Sequence, residues 1–278
     1  MKQTQNGHFY KQEISDGFYM ISCPEWDMEK EKSINLWMIE GSEMSVLVDA
    51  GMKLGGLKEF LKEITDKPLR VVVSHGHFDH IGNIDDFDEI WMNHEDIPLL
   101  SDPVFEKYGA HGYHGTIHDI NDGEVWNLGD RLITLIRIRG HTGGSVLVLD
   151  HKSSVLISGD TVARDLLYMT EDTIPLNQFF DELLKLDAYE YDAVASAHDR
   201  FLLPSYQHHY MMKTIIQGLK NDQSDSVWQM WGQEFFTIHA GSGPSDPKYL
   251  SISLPTDKKE QLKDEMIAWA EKNWEKIQ

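Results

Sequence analysis

The feature that most constrains this chain is a seven-residue stretch that carries four side chains able to bind a metal. Residues 74–80 read SHGHFDH and directly follow the apolar run RVVV. Side chains two positions apart on an extended segment point the same way, so His75 and His77 are placed to hold one ion. Asp79 and His80 then fall on the following turn, facing a neighbouring position. Imidazoles packed together without an ion would carry an unrelieved desolvation cost, so the stretch indicates a metal site.

Three other polar residues stand just after apolar runs, where strands of a buried sheet would end. His141 lies in GHTGGS, Asp160 closes SVLISGD, and His198 closes DAVASAH. One such residue is usually structural, but here the same placement repeats three times. Four ligands from one loop would crowd a single ion, so these residues are the expected source of the remaining donors.

Short apolar runs and stretches with helical spacing alternate along the chain. The runs that predict strands are 17–22, 34–40, 45–49, 70–74, 89–93, 131–138, 145–150, 154–160 and 192–198. The stretches that predict helices are 55–65, 176–187, 205–220 and 257–276. The segment 221–247 is aromatic but glycine-containing, and we expect a loop there. Strands intermixed with helices indicate a layered α/β or α+β architecture.

A weak internal repeat is also present. The segment VLVDAG (46–51) precedes a helix and then VVVSHGH (71–77), and VLISGD (155–160) precedes a helix and then AVASAH (193–198). Each half therefore ends two strands in polar residues. Two halves related in this way could direct their loops to one shared cleft.

Charge and cysteine content limit the partners and the compartment. The 25 basic and 46 acidic residues give a net charge of −21, which repels nucleic acid and anionic membranes. We therefore expect neither as a partner and expect a small molecule as the substrate. No apolar run approaches the roughly 18 residues that cross a bilayer. The polar start of the chain lacks a secretion signal, and Cys23 has no cysteine to pair with. We therefore expect a soluble cytoplasmic protein, with its oligomeric state open.

Taken in chain order, these motifs resemble those of the metallo-β-lactamase fold superfamily. They are Asp49 in LVDAG, then HGHFDH, GHTGGS, SGD and SAHD, spread over residues 15–203. The resemblance implies a four-layer αββα sandwich, α/β in class, with a metal site at one edge of its two sheets. It also implies one catalytic domain over residues 1–278, in which 204–278 form a C-terminal extension of helices and strands.

The resemblance further implies a role for each motif residue. The first metal ion would be bound by His75, His77 and His141. The second would be bound by Asp79, His80 and His198, with Asp160 bridging both ions. Asp49 would support these ligands without touching a metal. Two divalent ions are expected, foremost Zn²⁺, although Fe and Mn also accept nitrogen and oxygen ligands.

Two such ions predict a hydrolase. They lower the pKa of bound water toward about 7, so a hydroxide held between them could attack an ester, thioester or lactone of a small molecule. Asp79 or Asp160 could carry the proton to the leaving group. The positive centre would let an acidic chain attract an anionic substrate. The alternatives are a mononuclear iron persulfide dioxygenase using His75, His141 and Asp160, a phosphodiesterase acting on a small substrate, and a sensor without turnover.

Departures from the branches of this superfamily narrow the substrate. Asp160 stands where the main zinc β-lactamases carry cysteine, and His77 where flavodiiron proteins carry glutamate. The ligand set is closest to glyoxalase II and to lactonases, but the stretch after Asp160 lacks the usual glyoxalase II pattern, which argues against glutathione thioesters. Tyr168 does not have the spacing of the lactonase tyrosine, and we expect it in the core. Whether His114 or His239 contacts the substrate stays open, and for His239 we favour a structural role.

Overall fold

Each predicted strand and helix is confirmed in the computed structural model of this protein. The structure describes residues 3–24, 33–106, 108, 111–168 and 173–278. The strands are β1 (Gln3–Asn6), β2 (Phe9–Ser15), β3 (Phe18–Pro24), β4 (Ser33–Glu40), β5 (Ser45–Val48), β6 (Leu69–Val72), β7 (Glu89–Met92), β8 (Thr116–Asp119), β9 (Glu124–Asn127), β10 (Leu132–Arg137), β11 (Val146–Asp150), β12 (Val155–Gly159), β13 (Asp165–Leu167), β14 (Ala193–Ser196), β15 (Leu203–Pro204), β16 (Ser226–Met230), β17 (Gln233–Ala240) and β18 (Leu250–Pro255). The helices are α1 (Leu57–Lys62), α2 (Phe78–Ile81), α3 (Pro103–Glu106), α4 (Leu176–Leu183), α5 (Gln207–Lys220) and α6 (Lys259–Asn273). Short 3₁₀ helices span Ile84–Asp86, His94–Ser101, Leu184–Ala188, Thr256–Lys258 and Trp274–Ile277.

The strands form three sheets. The first contains β1 to β8 in chain order, antiparallel from β1 to β5 and parallel from β5 to β8. The second has the order β15-β14-β12-β11-β10-β9, and the third β13-β18-β17-β16. The internal repeat predicted from the sequence is visible here. β5 and β6 are parallel neighbours with α1 between them in the chain, and β12 and β14 are parallel neighbours with α4 between them.

Apolar side chains bury both faces of the two large sheets. In β4, Trp37 packs into a core shared with the second sheet, while Leu36 and Met38 pack on the opposite face. That opposite face is covered by α1, through residues such as Phe60. The outer face of the second sheet packs against α4, α5 and α6. The predicted αββα sandwich is therefore confirmed. Within the described residues, no helix is both long and apolar enough to span a bilayer.

The expected loop at 221–247 is wrong, because much of it forms the hairpin β16–β17 of the third sheet. β16 lies at the sheet edge and is largely exposed, so it lacks a clear apolar alternation. The two-residue turn Trp231-Gly232 also lacks the Asn-Gly or Asp-Gly signal typical of hairpins. On the other side, β17 pairs with β18 and β18 pairs with β13, which joins the C-terminal extension to the motif-bearing core.

Candidate metal centre

The residues predicted to bind metal all follow strands or lie in the short helix after one. In chain order they are His75 and His77 after β6, Asp79 and His80 in α2, His141 after β10, Asp160 after β12 and His198 after β14, and the predicted supporting residue Asp49 follows β5. All except Asp49 are called the cage below. Fold and sequence together therefore bring to one place residues that are far apart in the chain.

The three imidazoles of His75, His77 and His141, called the first group, converge on one point. Nδ1 of His77 lies 3.0 Å from Nε2 of His75 and 3.0 Å from Nε2 of His141. All three residues are buried. A neutral imidazole has a single N–H, so three facing ring nitrogens cannot all be satisfied by bonding to one another. A cation bound at their common point would satisfy all three.

The second group consists of Asp79, His80 and His198. Nε2 of His198 lies 3.5 Å from Oδ2 of Asp79, and Nε2 of His80 lies 3.7 Å from the same oxygen. Asp160 stands between the groups, since its Oδ2 is 3.2 Å from Nε2 of His198 and 3.7 Å from Nε2 of His141. Burial opposes charge on Asp160, but His198 and then His80 hold the pKa of its carboxyl well below the usual range.

Buried polar atoms in the cage fit a bound metal. Nε2 of His80 and Oδ1 of Asp160 face each other at 3.5 Å as an ion pair, but neither has a hydrogen-bond partner within the described residues. Leaving such an atom unpaired costs about 1–3 kcal/mol. Imidazole nitrogen and carboxylate oxygen are donors that Zn²⁺ accepts, so an ion held by these atoms would remove that cost.

The two groups differ in proton affinity. Burial, reinforced by neighbouring imidazoles, holds the pKa of His75 well below its ordinary value, and burial lowers the pKa of His141 to about 3. Burial also disfavours charge on His80, but the carboxylates of Asp49, Asp79 and Asp160 outweigh it and raise the pKa of His80 well above its ordinary value. Because neutral imidazole is the metal-binding form, His75 and His141 are ready to bind at neutral pH.

Asp49 contacts one ligand of each group, directly or through Ser74. Its carboxylate accepts hydrogen bonds from the Ser74 amide (2.7 Å) and hydroxyl (2.8 Å). Oδ2 of Asp49 is also 2.8 Å from Nδ1 of His80, and the Ser74 hydroxyl oxygen is 3.1 Å from Nδ1 of His75. Holding Nδ1 of a ring orients its Nε2 toward the cage. The left-handed backbone of Asp49 (φ 71°) is a conformation that aspartate tolerates better than most residues.

Asp96 is a buried carboxylate that the sequence did not reveal. It accepts hydrogen bonds from the amides of Gly76 (2.9 Å) and Gly144 (2.7 Å) and from the Thr142 hydroxyl (2.6 Å). It therefore joins the loop of the first two histidines to the loop of His141. A Cβ atom at Gly144 would lie 2.7 Å from Oδ1 of Asp96, which explains the glycine there. No local signal marks Asp96, because its three partners come from distant parts of the chain.

Side chains of β4 support the loop that carries His198. The side-chain amide of Asn35 donates to the Asp199 carbonyl (2.8 Å), and the indole N–H of Trp37 donates to the Ser196 carbonyl (3.0 Å). These contacts cross from the first sheet to the second. They were also absent from the sequence prediction, because the run that contains Asn35 and Trp37 indicates only a buried strand.

The remaining candidates lie elsewhere. Tyr168 is in the core, as predicted, where its hydroxyl donates to the Ile174 carbonyl and its ring stacks on Phe179. His114 is exposed on the loop before β8. His239 lies in β17 and stacks on Tyr249. For His114 and His239 the structure describes no contact with the cage, so a role in substrate contact stays a prediction.

Comparisons with known proteins agree with this geometry. The family model of the metallo-beta-lactamase superfamily matches residues 30–198, which is more than half of the chain. The acyl-coenzyme A thioesterase MBLAC2 of Homo sapiens is 29% identical over 182 residues, covering 54% of this chain and 64% of the human protein. The chain thus matches less than two thirds of that relative's length. A hydroxyacylglutathione hydrolase of Xanthomonas axonopodis pv. citri is 26% identical over 191 residues, covering 68% and 66%.

Solved structures show the same fold. A metallo-beta-lactamase from Pontibacter korlensis superposes with a TM-score of 0.60 at 16% sequence identity. The superposition covers 72% of this chain and 95% of that protein. At this identity the likeness concerns the fold alone.

Proposed function

The chain belongs to the metallo-beta-lactamase superfamily, and we propose that it is a hydrolase that uses two divalent metal ions to cleave an ester, thioester or lactone of a small molecule. The observation that carries this proposal is the convergence of the seven cage side chains, with Asp160 between the two groups. The names of the human and Xanthomonas relatives both describe hydrolysis of an acyl group carried on a thiol, which favours a thioester.

The proposed ions are Zn²⁺, one held by the first group and one by the second, with Asp160 shared. When bound, two such ions would polarise the substrate carbonyl and activate a water molecule. In the reaction, water adds its oxygen to the acyl carbon, the carbon–sulfur bond breaks, and the thiol leaves with a proton. The products are a carboxylic acid and a thiol.

The chain's own residues set the charge and the direction of approach. The neutral first group contributes no charge, whereas Asp79 and Asp160 offset part of the charge of two divalent ions. His198 is the most open member, with its side chain 21% exposed, and Asp79 and Asp160 follow at 13% each. Because Asp160 lies between the groups, we assign His198 and Asp79 to the mouth of the cage. A carboxylate at the mouth is positioned to pass a proton to the leaving thiolate, and this role is assigned to Asp79.

Two broader features belong to the same proposal. Residues 204–278 are part of a single domain, supported by the pairing of β18 with β13. The protein works in the reducing cytoplasm, supported by its one cysteine, Cys23, because the sequence offers no second cysteine for an intrachain disulfide.

The experiment is metal analysis of protein from unsupplemented cells, combined with a screen of chromogenic esters, thioesters, lactones and phosphodiesters. We expect thioester hydrolysis that stops on chelation and returns with Zn²⁺. His141→Ala should abolish it, while His94→Ala, which removes an exposed histidine paired with Asp119, should not. Full activity after complete metal removal would contradict the proposal, and oxygen consumption with a persulfide would favour the dioxygenase instead.

A further inference from the structure

Four aromatic rings form a continuous cluster beside the first group, and we call them the aromatic wall: Phe78, Phe105, Tyr108 and Trp231. The cluster begins at His77, whose ring meets that of Phe105 edge-on with centroids 5.4 Å apart. Phe105 in turn lies 5.6 Å from Phe78 and 5.6 Å from Trp231. Tyr108 stacks on Phe78 at 4.3 Å. An unbroken series of ring contacts therefore leads from a cage residue to the half-buried Trp231.

Trp231 reaches this surface from the C-terminal extension. It and Gly232 are the two central residues of the β16–β17 turn, in which Met230 pairs with Gln233. Both have positive φ, 50° for Trp231 and 84° for Gly232, as in a type I′ turn. Such turns prefer asparagine, aspartate or glycine at the first central position, and a bulky residue there is an outlier. Backbone strain of this kind clusters at functional sites, which points to a use for the indole.

The wall has a covered floor and a more open side. Phe78 and Phe105 are buried, whereas Trp231 is half-buried and the neighbouring Val104 is 41% exposed. The other tryptophan of the hairpin, Trp228, uses its indole N–H within the third sheet, near the hydroxyls of Thr237 and Ser253. Exposed apolar surface beside a polar site is typical of a pocket for a ligand that has both a polar part and an apolar part.

We propose that the aromatic wall binds the hydrocarbon chain of the substrate's acyl group and that Trp231 sets the preference for chain length. This inference rests on the proposed function, because the reacting carbonyl must lie in the cage for the chain to reach the wall. Phe105, the ring beside His77, is buried, so the chain of an acyl group held at the cage would meet apolar surface at the half-buried rings of Tyr108 and Trp231. A polar acyl group would lose its hydration there without gaining hydrogen bonds.

The test compares acetyl, hexanoyl and decanoyl thioesters of N-acetylcysteamine as substrates of the metal-loaded enzyme. Each methylene that contacts the wall should raise kcat/KM about threefold. The variant Trp231→Asn keeps a residue that suits the turn, so the hairpin should persist. We expect it to lower kcat/KM for the decanoyl thioester at least about tenfold and to leave the acetyl thioester within about twofold. The control is Val227→Asn on the same hairpin, since Val227 is 56% exposed.

Binding is measured separately by calorimetry with the non-hydrolysable S-decyl thioether of N-acetylcysteamine. It should bind the wild type and Val227→Asn alike and Trp231→Asn at least about tenfold more weakly. Trp231→Gly, which also suits a left-handed turn position, gives the same comparison if the asparagine variant does not fold. Equal activity on all three chain lengths, or full binding by a folded Trp231 variant, would overturn the role of the wall. Tight thioether binding with no hydrolysis of any thioester would instead reject the proposed function and keep the wall.

Discussion

The two groups of the cage have the same number of side chains but different chemistry. The first group is buried and made of imidazoles alone. The second includes the carboxylate of Asp79, and the side chain of His198 is 21% exposed. The buried first group is therefore suited to hold an ion in a fixed place, whereas the second group has an open side from which a substrate could approach. Asp160, near both, makes the two groups one site.

Replacing Asp160 should have the largest effect, because its carboxylate lies between the groups. We expect Asp160→Ala to lower kcat/KM at least about a thousandfold, since residues that act as a unit fail together. Kinetics and metal content should be measured on the same samples. Activity within tenfold of the wild type would show that the two groups do not depend on their shared carboxylate.

Asp49→Asn tests whether one supporting residue serves both groups. Its hydrogen bonds orient His80 directly and His75 through Ser74, and losing such support typically costs about 10–100-fold in metal affinity. We expect both ions to bind more weakly in competition with a chelator. The control is Asp119→Asn, which changes an exposed aspartate paired with His94. Weakening of a single ion would restrict Asp49 to one group.

Acidification should empty the two groups in order. The carboxylates of Asp49, Asp79 and Asp160 raise the pKa of His80, so a proton competes more strongly with a metal for this ring than for an ordinary imidazole. The pKa of His141, lowered to about 3, keeps that ring free of protons until far lower pH. As pH falls, the second group should therefore lose its ion at a higher pH than the first. Metal content after dialysis over a pH series measures this.

Loss of both ions in one step, or loss from the first group first, would contradict this order. The variant His198→Ala identifies the groups, because only its first group is intact. The one ion that this variant binds should be lost only at the lower pH, at which the wild type loses the ion of its first group.

Tyr168→Phe should have the smallest effect, a loss of stability without a loss of activity, because Tyr168 lies in the core and not in the cage. The change removes the hydroxyl that donates to the Ile174 carbonyl, so the free energy of unfolding should fall by about 1 kcal/mol. Metal content and kcat/KM should be unchanged. Urea unfolding and kinetics on the same preparation check both. A large loss of activity at unchanged stability would return Tyr168 to the role of a substrate contact.

The seven side chains that converge in the cage could be picked out from the sequence because their signals are local. Each cage residue has a metal-binding side chain and stands just after an apolar run or in the turn that follows it, and the strands then place these positions together. Asp96 carries no such signal, since its partners Gly76, Thr142 and Gly144 become neighbours only in the folded chain. The turn that places Trp231 against Phe105 was not predicted, because it lacks the usual hairpin residues. The contacts of Asp96 and the aromatic wall form only in the tertiary structure, whereas the candidate metal ligands lie in short sequence motifs.

Anomalous diffraction from crystals of the protein as purified tests whether the cage holds two ions. We predict two metal peaks per chain, roughly 3.5–4 Å apart. One should lie among the nitrogens of the first group, and the other beside His80 and His198. An active enzyme with no anomalous peak in the cage, or with imidazoles of the first group that share no ion, would contradict the account.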